Sequence, residues 1–369
     1  MEKQWYILDN IGDLDTPALV IYPDRVKENI QTLVKSIDNV TRLRPHIKTH
    51  KSAEVSRFML DAGIKKFKCA TISEAEILGA TGAPDVLLAY QPVGPKANRL
   101  AALIRQFPGT RYSCLIDNPE VAKNLSDVFH QEGKILPVYI DLNVGMNRTG
   151  IAVQDALALF TSCEDLNGIQ IVGLHAYDGH LRDADLFVRR KRCDEAFEPV
   201  LSLQRQIEKK YNRKLIIVAG GTPTYSIHSK RSEVECSPGT YIYWDKGYEE
   251  ILTEQKYSFA ALVVTRVISR PAPDIICLDL GHKAIAAENP LENRVRFLNA
   301  ANLKPTGQSE EHMVFHVEDG KDYAIGDVLY GVPYHICPTI ALHDRAAVAK
   351  DHAITEYWNT LSRNRKITI

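Results

Sequence analysis

Arginine, histidine and lysine crowd one short stretch of this chain, Arg44-Pro45-His46-Ile47-Lys48-Thr49-His50-Lys51. Read as a strand, it places Arg44, His46, Lys48 and His50 on one face, because side chains alternate with period two. Burying that much ionisable nitrogen without partners costs roughly several kcal/mol. Such a face suits contact with a polyanionic cofactor. A lysine on a rigid strand beside other cations can have its pKa lowered enough to bond covalently to an aldehyde.

Other segments carry weaker signals. Gly220-Gly221-Thr222 can bring backbone N–H groups close to phosphate oxygens, with the following helix offering its N-terminal end, and Gly239-Thr240 can supply a second set of donors. Each alone is also an ordinary tight turn. In His335-Ile336-Cys337, read as a strand, His335 and Cys337 share a face and offer ligands for a borderline ion such as zinc. The alternative is a buried thiol beside an unrelated histidine. Arg148 reads as a cofactor contact or a structural ion-pair partner. Tyr177 reads as a site residue or a core aromatic, and His180 as a base or a solvated loop residue. Lys51, Lys65, Lys66 and Lys68 read as solvated surface, and Arg189-Arg190-Lys191-Arg192 as an exposed helical face.

These residues need a scaffold. From about residue 17 to residue 243, strand-like and helix-like patterns alternate. Apart from Ala18–Tyr22, the expected strands are Leu43–Lys48, Phe67–Thr71, Val86–Tyr90, Tyr112–Ile116, Leu136–Asn143, Ile169–Tyr177, Leu215–Ala219 and one beginning at Glu233–Cys236. That succession predicts an α/β fold, a (β/α)8 TIM-type barrel, with a doubly wound sheet as the alternative. Lys48 and the segments Asp141–Gly150, His175–His180, Ala219–Thr224 and Ser237–Tyr243 then fall at strand ends, where barrels keep their active sites. After about residue 255, short strands separated by turns such as Arg270–Pro273 and Asp319–Asp322 predict a smaller C-terminal β-domain. The expected division is a barrel over residues 14–255 and a β-domain over 256–369, joined by 1–13, with Trp5–Leu8 as a possible extra strand.

A formal net charge of -1 gives no bulk attraction to nucleic acid or to an anionic membrane. No apolar run reaches membrane-spanning length, and Met1–Trp5 lacks a signal-peptide core. The 7 scattered cysteines, without a CxxC pair, read as reduced thiols of a cytoplasmic protein.

Taken in order, Asp15-Thr16-Pro17-Ala18, the Arg44–Lys51 segment, Gly145-Met146-Asn147-Arg148-Thr149-Gly150, Gly220-Gly221-Thr222, Pro238-Gly239-Thr240-Tyr241 and His335-x-Cys337-Pro338-Thr339 resemble the D-threonine aldolase / D-serine dehydratase family across nearly the whole chain. The resemblance implies a pyridoxal 5′-phosphate enzyme of the alanine-racemase-like fold type, usually a homodimer. It implies that Lys48 holds the cofactor, that Arg148 sits near its phenolic oxygen and that Tyr177 lies beside it. Gly220, Gly221, Thr222, Gly239 and Thr240 would hold its phosphate, and Tyr241 or Tyr243 would approach the ring nitrogen. His335 and Cys337 would bind a divalent metal, zinc or manganese, that engages the β-hydroxyl of a small β-hydroxy-D-amino acid. The expected activity is a lyase reaction of the D-threonine aldolase type, giving glycine and acetaldehyde, with His180 as the base for the hydroxyl proton. The alternative is dehydration of D-serine or 3-hydroxy-D-aspartate, because dehydratases of the family typically carry His-x-Cys. A racemase has no need of the metal, and a non-catalytic cofactor carrier has no need of the second domain.

Overall fold

The computed structural model describes residues 3–318 and 322–369, so Asp319, Gly320 and Lys321 of the expected Asp319–Asp322 turn lie outside the described residues. In chain order the strands are β1 (Ala18–Ile21), β2 (Lys66–Cys69), β3 (Asp85–Leu88), β4 (Arg111–Ile116), β5 (Leu136–Asn143), β6 (Ile151–Ala152), β7 (Ile169–Ala176), β8 (Ile216–Ala219) and β9 (Val234–Cys236). They continue as β10 (Ala261–Ala272), β11 (Ile275–Leu278), β12 (Val295–Phe297), β13 (Leu303–Gln308), β14 (Met313–Val317), β15 (Val328–Pro333), β16 (Arg345–Lys350) and β17 (Ala353–Asn359). The chain folds into two compact units.

One unit comprises residues 33–48, 55–239 and 364–369. Its sheet is parallel, in the order β2-β3-β4-β5-β7-β8-β9, with the short β6 beside β5. Parallel neighbours need crossovers, and helices supply them. Helix Pro119–Gln131 shows how the sequence starts one. Asn118 Oδ1 accepts the backbone N–H of Glu120 at 2.9 Å, and Pro119 occupies the first turn, where a missing N–H costs nothing. Leu87, Leu115, Tyr139 and Val218 form one buried apolar cluster from four different strands, as barrel interiors require.

The expected strand Leu43–Lys48 is not a regular strand. Leu43 bridges to Cys236 of β9 and His46 to Lys68 of β2, both in the parallel sense. The Arg44 N–H donates to the Cys236 carbonyl at 2.8 Å, and the Lys68 N–H donates to the Pro45 carbonyl at 2.9 Å. Residues 43–46 thus join both edges of the sheet and close the barrel. Pro45 has no N–H for a continuous ladder, and Ile47–Thr49 turns into a 3-10 helix that carries Lys48. Arg44 meets no open face either. It is fully buried, donates to Glu235 at 2.8 Å and also pairs with Asp85.

The other unit contains residues up to 32, 49–54 and 240–363. Its sheet runs β13-β14-β11-β10-β1-β16-β17, with β15 pairing β10 and β12. The strand Ala18–Ile21 belongs here, antiparallel to β10 and parallel to β16. Trp5–Leu8 adds no strand. Instead Tyr6 and Leu8 are buried in a cluster with Val20, Leu262, Tyr330 and Ala347. Among the described residues no helix is long and apolar enough to cross a membrane.

Candidate active site

A cavity of ≈ 530 Å³ opens in the barrel unit, lined among others by His46, Lys48, Lys68, Asp141, Arg148, His175 and Tyr177. These residues lie at or just after the C-terminal ends of strands, the catalytic end of such barrels. Three cations surround one aromatic ring. Measured to the Tyr177 ring centroid, Lys48 Nζ lies at 5.8 Å, Lys68 Nζ at 5.3 Å and Arg148 Cζ at 4.9 Å. Attraction to the ring face offsets part of their mutual repulsion.

The loop that carries Arg148 is tightly fixed. Asn143 Oδ1 accepts the N–H groups of Gly145 and Asn147, each at 3.1 Å, and Gly150 N–H donates to Asp117 Oδ2 at 3.0 Å. Gly150 has φ +98°, and a Cβ there would lie 2.7 Å from the Asn143 nitrogen, so only glycine closes the loop.

On the cavity floor, β5 and β7 pair with Asp141 directly opposite His175. Their side chains meet, with His175 Nδ1 2.7 Å from Asp141 Oδ1. His175 Nε2 faces Lys68 Nζ at 3.0 Å, and Lys68 also donates to Ser237 Oγ at 2.9 Å. Lys68 is therefore buried, which corrects its reading as solvated surface. Burial and the charge of Lys48 push its pKa down to about 7. Burial and Lys68 likewise lower His175 and keep it neutral. Burial alone would raise Asp141, but its bond to His175 prevails and holds it low.

The phosphate-type loops are close-packed. Gly220 has φ +66°, and a Cβ on Gly221 would fall 2.9 Å from Tyr177 Cε2. Gly239 N–H donates to Thr222 Oγ1 at 3.1 Å, which ties the loop after β8 to the loop after β9. The helix expected to point at this loop is a single turn, Tyr225–His228. Any anion here would be held by loop backbone and the Thr222 hydroxyl.

Thr240, Tyr241, Tyr243, His335 and Cys337 lie in the other unit. His335 and Cys337 are not on a strand. His335, in extended conformation, precedes helix Ile336–Leu342, and Cys337 sits in its first turn. Cys337 Sγ lies 3.1 Å from Thr49 Oγ1 and 3.6 Å from Thr240 Oγ1. Burial opposes the charge on His335, but its bond to Cys337 and the nearby Asp245 and Glu288 hold its pKa at about 9. Tyr241 and Tyr243 are buried. The Tyr243 hydroxyl has no hydrogen-bond partner, and burial raises its pKa. His50 is also buried, with Nε2 unpartnered and a pKa of about 3, chiefly through desolvation.

His180 does not line the cavity. Its Nε2 lies 3.0 Å from where a Gly145 Cβ would be, and its Nδ1 is buried without a partner. In the run Arg189–Arg192, Arg189 is buried while the other three are exposed, so only part of that run is a solvated face. Among the described residues, Asp178, Cys193 and His228 bring possible ligand atoms within 4.8 Å of one another. Neither this group nor the Asp141–His175–Lys68 chain has a motif in the sequence. For the latter, the available signal was an acid and a histidine ending two barrel strands.

Residues 21–246 match the alanine racemase N-terminal domain family, and residues 260–349 match a serine dehydratase domain. The chain is 29% identical to a D-threonine aldolase of Arthrobacter sp over 96% of this chain and 94% of that protein. It is 25% identical to a D-threo-3-hydroxyaspartate dehydratase of Delftia sp. (strain HT23) over 90% of this chain and 93% of that protein. In fold it is similar to the crystal structure of a D-threonine aldolase from Filomicrobium marinum, with a TM-score of 0.86 and 24% identity over 96% of both chains. Across more than half its length, therefore, this chain belongs to the alanine racemase N-terminal domain family, within the fold-type III group of pyridoxal-phosphate proteins.

Proposed function

We propose that this protein is a lyase of β-hydroxy-D-amino acids that cleaves D-threonine to glycine and acetaldehyde, using pyridoxal 5′-phosphate and a divalent metal. The observation that carries the reading is the meeting of Lys48, Arg148 and Tyr177 on one cavity, in a chain similar to a D-threonine aldolase over 96% of its length. The residues present fit the cofactor. Lys48 supplies the amine, Arg148 a fixed cation for the phenolic oxygen and Tyr177 an aromatic neighbour. The glycines at 220 and 221 leave room that a Cβ would fill. Thr222, Gly239 and Thr240 would complete the phosphate contacts, and the unpartnered hydroxyl of Tyr243, or that of Tyr241, would serve the ring nitrogen. His335 and Cys337 offer nitrogen and sulfur, donors suited to zinc, with manganese as the harder alternative.

Bound, the cofactor supplies an electron sink at the substrate Cα and the metal a Lewis acid at the β-oxygen. In the cleavage reaction His180 takes the β-hydroxyl proton. Burial holds this histidine below its ordinary pKa, so it is neutral and able to accept. Lys48 and Arg148 orient the reacting face.

One observation favours a second reading, dehydration. In solved structures of a D-threo-3-hydroxyaspartate dehydratase, a histidine and a cysteine two positions apart have each been changed to alanine, the cysteine variant being in a metal-free form. His335 and Cys337 have that spacing. In that reaction Lys48 takes the proton from Cα instead. We further propose that the protein acts in the cytoplasm as a homodimer.

The test is product analysis with D-threonine, with and without chelator. Glycine and acetaldehyde, lost on chelation, support cleavage. Release of 2-oxobutanoate and ammonia replaces it with dehydration. Neither product from D-threonine, D-serine or 3-hydroxy-D-aspartate overturns both.

A further inference from the structure

A buried network that the proposed chemistry does not use ties the end of β7 to the loop after β8. Asp178, Cys193, Thr224 and His228 are all buried. Asp178 Oδ1 accepts from Thr224 Oγ1 at 2.7 Å, and its Oδ2 faces His228 Nε2 at 2.9 Å. On the other side of the ring, Arg231 Nη1 lies 2.6 Å from His228 Nδ1. A guanidinium can only donate, so Nδ1 accepts and the ring proton sits on Nε2, aimed at Asp178. Cys193 Sγ lies 3.2 Å from the same Nε2 and 3.7 Å from Asp178 Oδ2. Burial pushes that thiol up to about 12, so the sulfur keeps its proton and donates to the carboxylate. Burial would raise Asp178 too, but His228 and Thr224 more than offset it, and the carboxylate stays charged.

The three ligand-type atoms are close enough for a metal ion, yet both the nitrogen and the sulfur are committed to protons. Hydrogen bonding accounts for the cluster without one.

The network bears on one loop. Thr224 lies two residues beyond Thr222, and its N–H donates to the Gly221 carbonyl at 3.1 Å. The His228 N–H donates to the Thr224 carbonyl at 3.0 Å. A Cβ on Gly220 would sit 2.9 Å from His228 Cβ, so the loop rests directly on that side chain.

We propose that Asp178, His228 and Arg231 are positioning residues, a clamp that fixes the loop 220–224 and so sets the protein's affinity for a phosphate monoester, here pyridoxal phosphate. The proposal rests on reading this loop as the phosphate cradle.

The test compares cofactor dissociation constants, read by absorbance on the stripped and reloaded protein, for Thr224→Val, Thr224→Ser, Asp178→Asn and Thr222→Ala. Losing one hydrogen bond to a buried carboxylate predicts affinity weakened about ten- to hundredfold in Thr224→Val and Asp178→Asn. Thr224→Ser should restore it, and kcat at saturating cofactor should stay near wild type. If Thr224→Val and Asp178→Asn bind the cofactor normally while Thr222→Ala does not, the clamp is overturned and the cradle stands. If Thr222→Ala also binds normally, the cradle reading fails and takes the clamp with it. Stoichiometric zinc that survives the double change His335→Ala, Cys337→Ala and is lost on adding Cys193→Ala would make the cluster a metal site and overturn the clamp. Should Asp178→Asn fail to fold, the valine–serine pair at Thr224 decides.

Discussion

Lys68 offers a quantitative perturbation. Its ammonium is buried on the cavity floor between His175 and Ser237, and its pKa falls from 10.5 to about 7. Between those values the unfolded chain holds a proton that the folded chain has released, so wild-type stability rises with pH across this window. At about 1.4 kcal/mol per unit, the penalty for the charged form at or below pH 7 is on the order of 4 kcal/mol. Lys68→Met removes that penalty and also removes two hydrogen bonds, each contributing about 1 kcal/mol. The cofactor-free variant should therefore be more stable than wild type by about 2 kcal/mol at pH 7. Near pH 10.5 the ionisation penalty is gone and only the lost bonds remain, so the order should reverse. Urea unfolding of both proteins at pH 7 and at pH 10.5 reads the difference directly. A difference that does not change with pH would refute the argument, because lost contacts alone carry no proton linkage.

Other substitutions test neighbouring parts. Glu235→Ala strips Arg44 of one of its two carboxylate partners inside the barrel and should destabilise the fold by about 3–5 kcal/mol in the same unfolding assay. Gly221→Ala forces a Cβ against Tyr177, so cofactor binding should weaken at least tenfold by absorbance titration. Cys337→Ala should lower bound zinc, measured by elemental analysis, while the protein still takes up its cofactor. His180→Ala should slow D-threonine cleavage by about 10²–10⁴ if this side chain takes the hydroxyl proton; an unchanged rate removes it from that role.

Much of the barrel was legible because short apolar runs alternate with amphipathic stretches, and only a few folds satisfy that order. The closing segment was harder to read. Leu43–His46 looks like a strand, but Pro45 interrupts its ladder and the pairing comes from both edges of a sheet assembled elsewhere in sequence. Arg44 and Lys48 would share one face of an ideal strand, but depth separates them. Lys48 lines the cavity, while Arg44 is neutralised by Asp85 and Glu235, residues remote from it in the chain. Lys68 was misread for the same reason, since Lys65, Lys66 and Lys68 look like a surface cluster until His175 and Ser237 are folded against the last of them. At His335 and Cys337 there is no strand, yet the side chains still meet, with His335 at the residue before a helix and Cys337 in its first turn. In the C-terminal domain, β13 has no fully buried residue and β17 has one, so neither carries an apolar alternation to read.

If Lys48 carries the cofactor, covalent mapping will show it. Borohydride reduction of the loaded protein, followed by proteolysis and mass spectrometry, should place a single pyridoxyl group on Lys48. The buried Lys68, held near pKa 7 in the same cavity, is the sharpest competitor. A label on Lys68, or on any lysine other than Lys48, would take that role from Lys48.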